Sequence, residues 1–216
     1  MTGARPVSEF AEVVRNRRMT RAFSSEPIEA AVLDGLVDLA SRAPSAGKTQ
    51  GWHLLVLEGD DAQRYWDITL PVEKRSTFRW KHLRDAPVIA LPLADPSAYV
   101  QRYAEADKAR SGLGEGTDAW PVPYWTIDTS MSVMTLLLAA EDAGLGALFF
   151  GVFQREVEVR AAFGVPDDLE LIGALALGHP LADAEGSRDG SGRSARRQRR
   201  TPGEIIHRGR WRDGRR

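Results

Sequence analysis

The chain has 216 residues, 43% hydrophobic and 27% charged, which suits one large globular domain or two small ones with a sizeable core. Zero cysteines exclude disulfides, thiolate catalysis and thiolate-bound zinc or iron–sulfur centres, and His53, His82, His179 and His207 are too scattered to share a metal. The net charge of −1 conceals a division, because from Asp183 onward eleven arginines face five acids for a net of +6, leaving −7 on residues 1–182.

Taken in order, Pro6 to Val14 predicts a helix, with Ser8 as a candidate N-cap, Glu9 and Glu12 in its first turns, and Val7, Phe10, Val13 and Val14 at helical spacing. At its C-terminal end lies RNRRMTRAF, Arg15 to Phe23, with Arg15, Arg17, Arg18 and Arg21 within seven positions. These arginines either complement the helix dipole in water or build an anion site. Phe23 carries the chain toward the interior, and a guanidinium close to a core is tolerated where it can fork onto phosphate or carboxylate.

Glu29 to Arg42 predicts an amphipathic helix with Val32, Leu33, Leu36, Val37 and Ala40 on one face, closed by the turn-like Pro44 to Gly47. Trp52 to Leu57 is the first strand, Asp60 to Asp67 a short helix, Leu70 to Asp85 irregular, and Pro87 to Leu93 a second strand. Tyr99 to Lys108 can be helical, and SGLGEG after it is expected to be a mobile loop or lid. Thr126 to Ala143 is the strongest helix, with Asp128 or Ser130 as its expected cap and apolar residues on most sides, so it is buried in a core or between subunits. Ala147 to Phe153 predicts a strand containing a glycine, a mark of close approach by a ligand or backbone. Glu156 to Phe163 is a short helix, and Glu170 to Leu177 a fourth strand ending in Gly-His-Pro. A Gly/Ser/Arg linker then leads to an arm with apolar anchors at Ile205, Ile206 and Trp211. The mix of helices and few strands points to an α+β sandwich. No leader-like pattern opens the chain, and its longest apolar run, Val133 to Ala140 around Thr135, is far short of the ~20 residues that span a bilayer. A cytoplasmic protein without membrane contact is expected.

Three motif matches fail. AGKT at Ala46 to Thr49 resembles the end of a phosphate-binding loop, but the glycine required five residues before Gly47 is Arg42, and the stretch runs from helix to strand instead of the reverse. GLGEG at Gly112 and GLGALFFG at Gly144 lack the strand-to-helix setting of a dinucleotide fingerprint. No Ser–His–Asp set can be singled out among many serines.

Five stretches remain: RRMTRAF at Arg17, RAPSAGKTQGW at Arg42, PYWTIDTSMSVMTLLLAAEDAGLGALFFGVF at Pro123, LGHP at Leu177 and RRTPGEIIHRGRW at Arg199. Their content and order resemble the nitroreductase family over nearly the whole chain. The resemblance implies a three-layer α+β sandwich, a mostly antiparallel sheet flanked by helices, in residues 1–182, with a linker at 183–198 and a C-terminal arm at 199–216. It further implies a homodimer with FMN between the subunits, NADH or NADPH as reductant, and a small electron-poor acceptor such as a nitroaromatic or quinone, reduced in ping-pong order.

By position, Arg17, Arg18, Met19 and Arg21 resemble the family's binders of flavin phosphate and pyrimidine edge, with Arg199 or Arg200 returning from the arm to the phosphate. Pro44, Ser45, Ala46 and Lys48 correspond to the loop that reaches the flavin from the other subunit. Phe149, Phe150 and Gly151 correspond to the stretch beside the isoalloxazine, with a backbone N–H of Phe150 or Gly151 facing N5. No catalytic side chain is implied, because the flavin carries the hydride. Met19 stands where the family usually has a small hydroxyl residue and Lys48 where many members have Asn, which leaves a deazaflavin as an alternative to FMN. Arg75, Arg79, Trp80, Tyr99, Tyr103, Lys108 and Trp120 are candidate substrate contacts or surface. The competing readings are a dehalogenase or dehydrogenase of the same fold, a flavin-binding protein without turnover, and a nucleic-acid-associated protein using its arginine-rich end.

Overall fold

Val88 to Ala94 is apolar throughout and buried along its whole length, the pattern of a strand covered on both faces. In the computed structural model, which describes residues 9–181, 184 and 197–211, this strand, β2 (Val88–Ala94), is the middle of the sheet. It pairs antiparallel with β1 (Trp52–Glu58) on one side and with β4 (Glu170–Leu171) and β5 (Ala174–Gly178) on the other. β3 (Gly146–Phe150) pairs antiparallel with β5, giving the order β1-β2-β5-β3.

Alternation along the strands sorts the core into two halves. Val88, Ala90, Leu175 and Leu177 face α2 (Ala30–Ala40) and α6 (Tyr124–Asp142), where Leu36, Val133, Leu136 and Leu137 are buried. Ile89, Leu91, Ala174 and Ala176 face the other way, against Tyr65 and Trp66 of α3 (Gly59–Thr69) and Val159 of α7 (Glu156–Phe163). The expected three layers are therefore present.

The expected fourth strand, Glu170 to Leu177, is split in two. Gly173 interrupts it at φ 152°, where a β-carbon would stand 2.7 Å from the Phe149 ring and 2.8 Å from the Phe150 carbonyl oxygen. Opposite the break is Pro92 of β2, whose carbonyl accepts from the Ile172 N–H at 3.2 Å but which has no N–H to return. The ladder parts where β2 lacks a donor. The third strand ends at Phe150, so Gly151 lies beyond it and not inside it.

α6 starts at Tyr124, two residues before the expected start, so Asp128 and Ser130 are not its caps. Ser130 donates back to the Thr126 carbonyl at 2.7 Å, while Asp128 is buried among its neighbours. At the other end, Gly144 at φ 79° closes the helix, with Gly144 N–H bonding to Glu141 O and Leu145 N–H to Ala140 O, the paired bonds of a Schellman stop. α1 (Phe10–Asn16) is shorter than expected at its start, and the candidate cap Ser8 lies outside the described residues. α5 (Pro96–Ala104) is capped by Asp95, which accepts from Ala98 N–H at 3.1 Å. The irregular stretch after α3 contains the single-turn helix α4 (Val72–Arg75).

The glycine-rich segment after α5 is a packed one. Residues 109–119 form three tight turns, Trp120 donates its Nε1–H to the Leu113 carbonyl at 2.9 Å, and its ring meets Tyr99 and Tyr103 edge-on. A β-carbon on Gly114 would lie 2.6 Å from the Ala104 backbone. Gly114→Ala is accordingly expected to destabilise the protein by about 1–3 kcal/mol through overpacking, read as a lowered midpoint in chemical denaturation at unchanged slope.

Candidate functional site

α1 ends where Arg17 N–H bonds to the Val13 carbonyl at 2.9 Å, after which the backbone turns extended. The next residues run along the free side of β3, Met19 bridging to Ala147 and Thr20 N–H donating to the Ala147 carbonyl at 3.0 Å, until Phe23 is fully buried. This stitching fixes where the arginines stand. Arg18 folds back, its Nη1 donating to the carbonyls of Arg15 and Arg17, and is exposed. Arg17 is half-buried, and its Nη1 is fully enclosed without a hydrogen-bond partner among the described residues. Burial first, then the charges of Arg199 and Arg18, push its pKa down, while Glu141 near the end of α6 acts the other way. An enclosed, unpaired donor with two further guanidiniums acting on it, against one carboxylate, suits a bound anion.

Arg199 thus returns from the arm toward Arg17. Arg200 instead donates to the Glu204 carbonyl across α8 (Pro202–Ile205), where the Glu204 carboxylate also accepts from Thr201 N–H at 2.7 Å.

Arg21 opens onto a cavity of about 450 Å³ walled by Trp66, Phe78, Trp80, Phe150 and Gly151. Burial, and after it Arg79, lowers the Arg21 pKa; its guanidinium lies 5.5 Å from the Trp80 ring centre and that of Arg79 4.4 Å from the same ring. None of the cavity's lining residues is acidic. Trp66 stacks on Phe150 at 6.0 Å and 5°, with its buried Nε1–H unpartnered. Phe149 packs on the α2/α6 side of the sheet and Phe150 on the opposite side. A β-carbon on Gly151 would collide at 2.3 Å with the ring of Phe153, itself 93% exposed. From Gly151 to Gln154 the backbone N–H groups make no backbone hydrogen bond among the described residues.

The loop at Pro44 to Lys48 lies elsewhere. Gly47, Lys48 and Gln50 are left-handed at φ 63°, 56° and 56°. The Ser45 hydroxyl accepts from Gln50 N–H at 2.8 Å, Ala46 N–H donates to Asp128 Oδ2 at 2.7 Å, and Arg102 Nε donates to the Gly47 carbonyl at 2.9 Å. Asp128 and Glu141 are 13 residues apart on α6, about 20 Å at 1.5 Å per residue, so this loop and the Arg17 corner sit toward opposite ends of that helix.

Of the seven candidate substrate contacts, Trp80 lines the cavity and Arg79 flanks it. Tyr99 and Trp120 are core, Arg75 pairs with Asp67, and Lys108 lies over Tyr103. Trp66 is not legible as a cavity wall in the sequence because a tryptophan at helical spacing on α3 looks like ordinary core, and Phe78 because it lies in an irregular stretch without a pattern. Among the described residues no metal-ligating cluster occurs and no helix is long and apolar enough to cross a membrane.

The family model that matches, the nitroreductase family, covers residues 14–179. The chain belongs to the nitroreductase family. It is 25% identical over 177 residues to an Archaeoglobus fulgidus protein assigned as NADH dehydrogenase/NAD(P)H nitroreductase, covering 81% of this chain and 87% of that one. It is also 25% identical over 174 residues to the FMN reductase (NADPH) of Bacillus subtilis, covering 78% of this chain and 65% of the relative. In fold it matches a nitroreductase-type protein of Desulfovibrio desulfuricans solved in complex with FMN, with a TM-score of 0.63 and 21% identity over 94% of this chain and 98% of that one.

The unpaired Arg17 donor yields a prediction for flavin-free protein. Inorganic phosphate is expected to raise the melting midpoint of the native chain, and Arg17→Met to abolish that rise. In phosphate-free buffer the same variant should gain about 1 kcal/mol, since an unsatisfied buried donor costs about 1–3 kcal/mol. Scanning calorimetry of both proteins with and without phosphate checks it.

Proposed function

We propose that the chain is an FMN-dependent NAD(P)H oxidoreductase that reduces small electron-poor molecules of nitroaromatic or quinone type, working as a homodimer with reductant and acceptor taking turns at one site. Membership of the family makes it an oxidoreductase. The observation that carries the finer reading is the enclosed, unpartnered Nη1 of Arg17, four extended residues from Arg21 at the aromatic cavity. Four residues span roughly 13 Å, a spacing that suits a phosphate and a planar ring joined by a ribityl chain.

On this reading Arg17 and Arg199 hold the phosphate, and Arg21 holds negative charge at the pyrimidine edge. The missing side chain of Gly151 leaves room that the exposed Phe153 ring occupies here, and on this reading that ring swings out to let the flavin pass close to backbone N–H groups. Met19 contributes through its backbone, its carbonyl accepting from Arg21 Nη1 at 3.1 Å and so steadying that guanidinium. Bound FMN supplies the hydride transfer itself, which agrees with the lack of an acid–base pair in the cavity. The walls of Trp80, Phe78 and Phe150 favour flat acceptors, and the guanidiniums of Arg21 and Arg79 favour electron-rich edges on them.

The same geometry supports the homodimer reading. The loop carrying Ser45 and Lys48 cannot reach its own chain's Arg17 corner along α6, but a second copy related by a two-fold axis would bring them together. α6 offers the surface for it, with Ile127 and Met134 exposed and Met131 and Leu138 partly exposed on one stripe. A purified protein that is yellow with FMN and bleached anaerobically by NADH or NADPH is expected; a colourless chain that takes up no FMN would sink the reading.

Flavin fluorescence titration at fixed ionic strength should show FMN bound about 10- to 150-fold more weakly by Arg17→Ala or Arg199→Ala, each losing a charge-assisted hydrogen bond of ~1.5–3 kcal/mol. The combined change of Arg188, Arg193 and Arg196 to Ala, outside the described residues, should alter affinity less than about threefold. For the assembly, native protein should sediment as a dimer at micromolar concentration, and Met134→Glu as a folded 23.8 kDa monomer with weakened FMN binding.

A further inference from the structure

Asp128 is 5% exposed, yet it sits in the second turn of α6 without an ion pair among the described residues. A carboxyl group taken out of water is costly unless its oxygens are used. Both donors that reach it converge on Oδ2: the Ala46 N–H at 2.7 Å and the Tyr99 hydroxyl at 2.8 Å. Burial holds the Tyr99 pKa well above its ordinary value, so the phenol remains a donor throughout the working range. Tyr99 also lies 3.4 Å from the Ser45 hydroxyl, which in turn accepts from Gln50 N–H. One carboxyl therefore ties α5 and α6 to the loop at both Ser45 and Ala46.

What the tie secures is an unfavourable backbone. Lys48 and Gln50 carry β-carbons yet sit at φ 56°, a region that L-residues avoid and hold only where their surroundings over-determine it. Released from Asp128, these residues would relax toward negative φ and carry the Lys48 side chain to another place. We infer that Asp128 is a positioning residue, one that fixes the loop from Ser45 to Gln50 with its left-handed Lys48 and Gln50 and so presents Lys48 to the flavin held by a second copy of the chain. The inference rests on the flavin-dimer reading and adds to it the internal support of the loop.

The test uses full-length Asp128→Ala and Asp128→Asn with two readouts: amide hydrogen exchange of residues 44–50 in flavin-free protein, and FMN affinity by fluorescence titration. Asp128→Ala should speed exchange across the loop and weaken FMN by about tenfold or more, while Asp128→Asn, which keeps an acceptor oxygen, should stay within about threefold of native. Lys48→Ala should weaken FMN in the native background and add nothing on top of Asp128→Ala, because the two act through one contact. If Asp128→Ala fails to fold, Tyr99→Phe, which removes one donor and keeps the ring, should give a loss of about three- to tenfold with faster loop exchange. Unchanged loop exchange, native FMN affinity in Asp128→Ala, or a Lys48→Ala effect of equal size in both backgrounds overturns the role of Asp128 and leaves the flavin reading standing. Native protein that takes no FMN overturns both.

Discussion

A helix of 19 residues is about 28 Å long, and here that length sets the plan of the molecule. The inner side of α6 fills the core against the sheet through Val133, Leu136, Leu137 and Ala140. Its first turns hold the left-handed loop through Asp128, and its last turn lies by the arginine corner through Glu141. The same rod that stabilises the fold keeps these two groups of residues apart. Its outward stripe is apolar as well, with Ile127 and Met134 exposed, which the core of one chain does not require.

The arginine corner trades stability for readiness. Arg17 crowded by Arg18 and Arg199, with an enclosed nitrogen that has no hydrogen-bond partner among the described residues, is an arrangement that stability alone would not favour. Arg21 repeats the pattern at the cavity, where aromatic faces substitute for a counter-charge. If, as proposed, these positions hold the flavin, both are positive beforehand and little rearrangement of side chains is required of them.

Much of this was legible in the sequence, for identifiable reasons. β2 read as a strand because both of its faces are covered, and α6 read as a helix because its apolar residues leave almost no polar side. The order of the five motifs carried the family. What escaped was decided by tertiary partners. Asp128 near the start of a helix looks like a cap until Tyr99 and Ala46, distant in sequence, are seen to converge on it. The Gly-rich stretch at Ser111 to Gly116 looks mobile until the Ala104 backbone closes on Gly114. Arg199 and Arg200 are indistinguishable as letters, and only the return of the arm separates the one beside Arg17 from the one that braces α8.

Pro92 has a further effect, on fidelity during folding. A sheet whose central strand is uniformly apolar has little in its side chains to forbid a slipped alignment, since Val, Ile, Leu and Ala present similar surfaces at every step. The missing N–H of Pro92 supplies the landmark. The break between β4 and β5 at Ile172 and Gly173 falls opposite it, so a slip of two residues would set a continuous stretch of the incoming strand against the one position of β2 that has no N–H to give. One imino acid in mid-strand thereby acts as a proofreading mark, selecting the alignment in which Phe149, Phe150 and Gly151 arrive at the cavity in their native order.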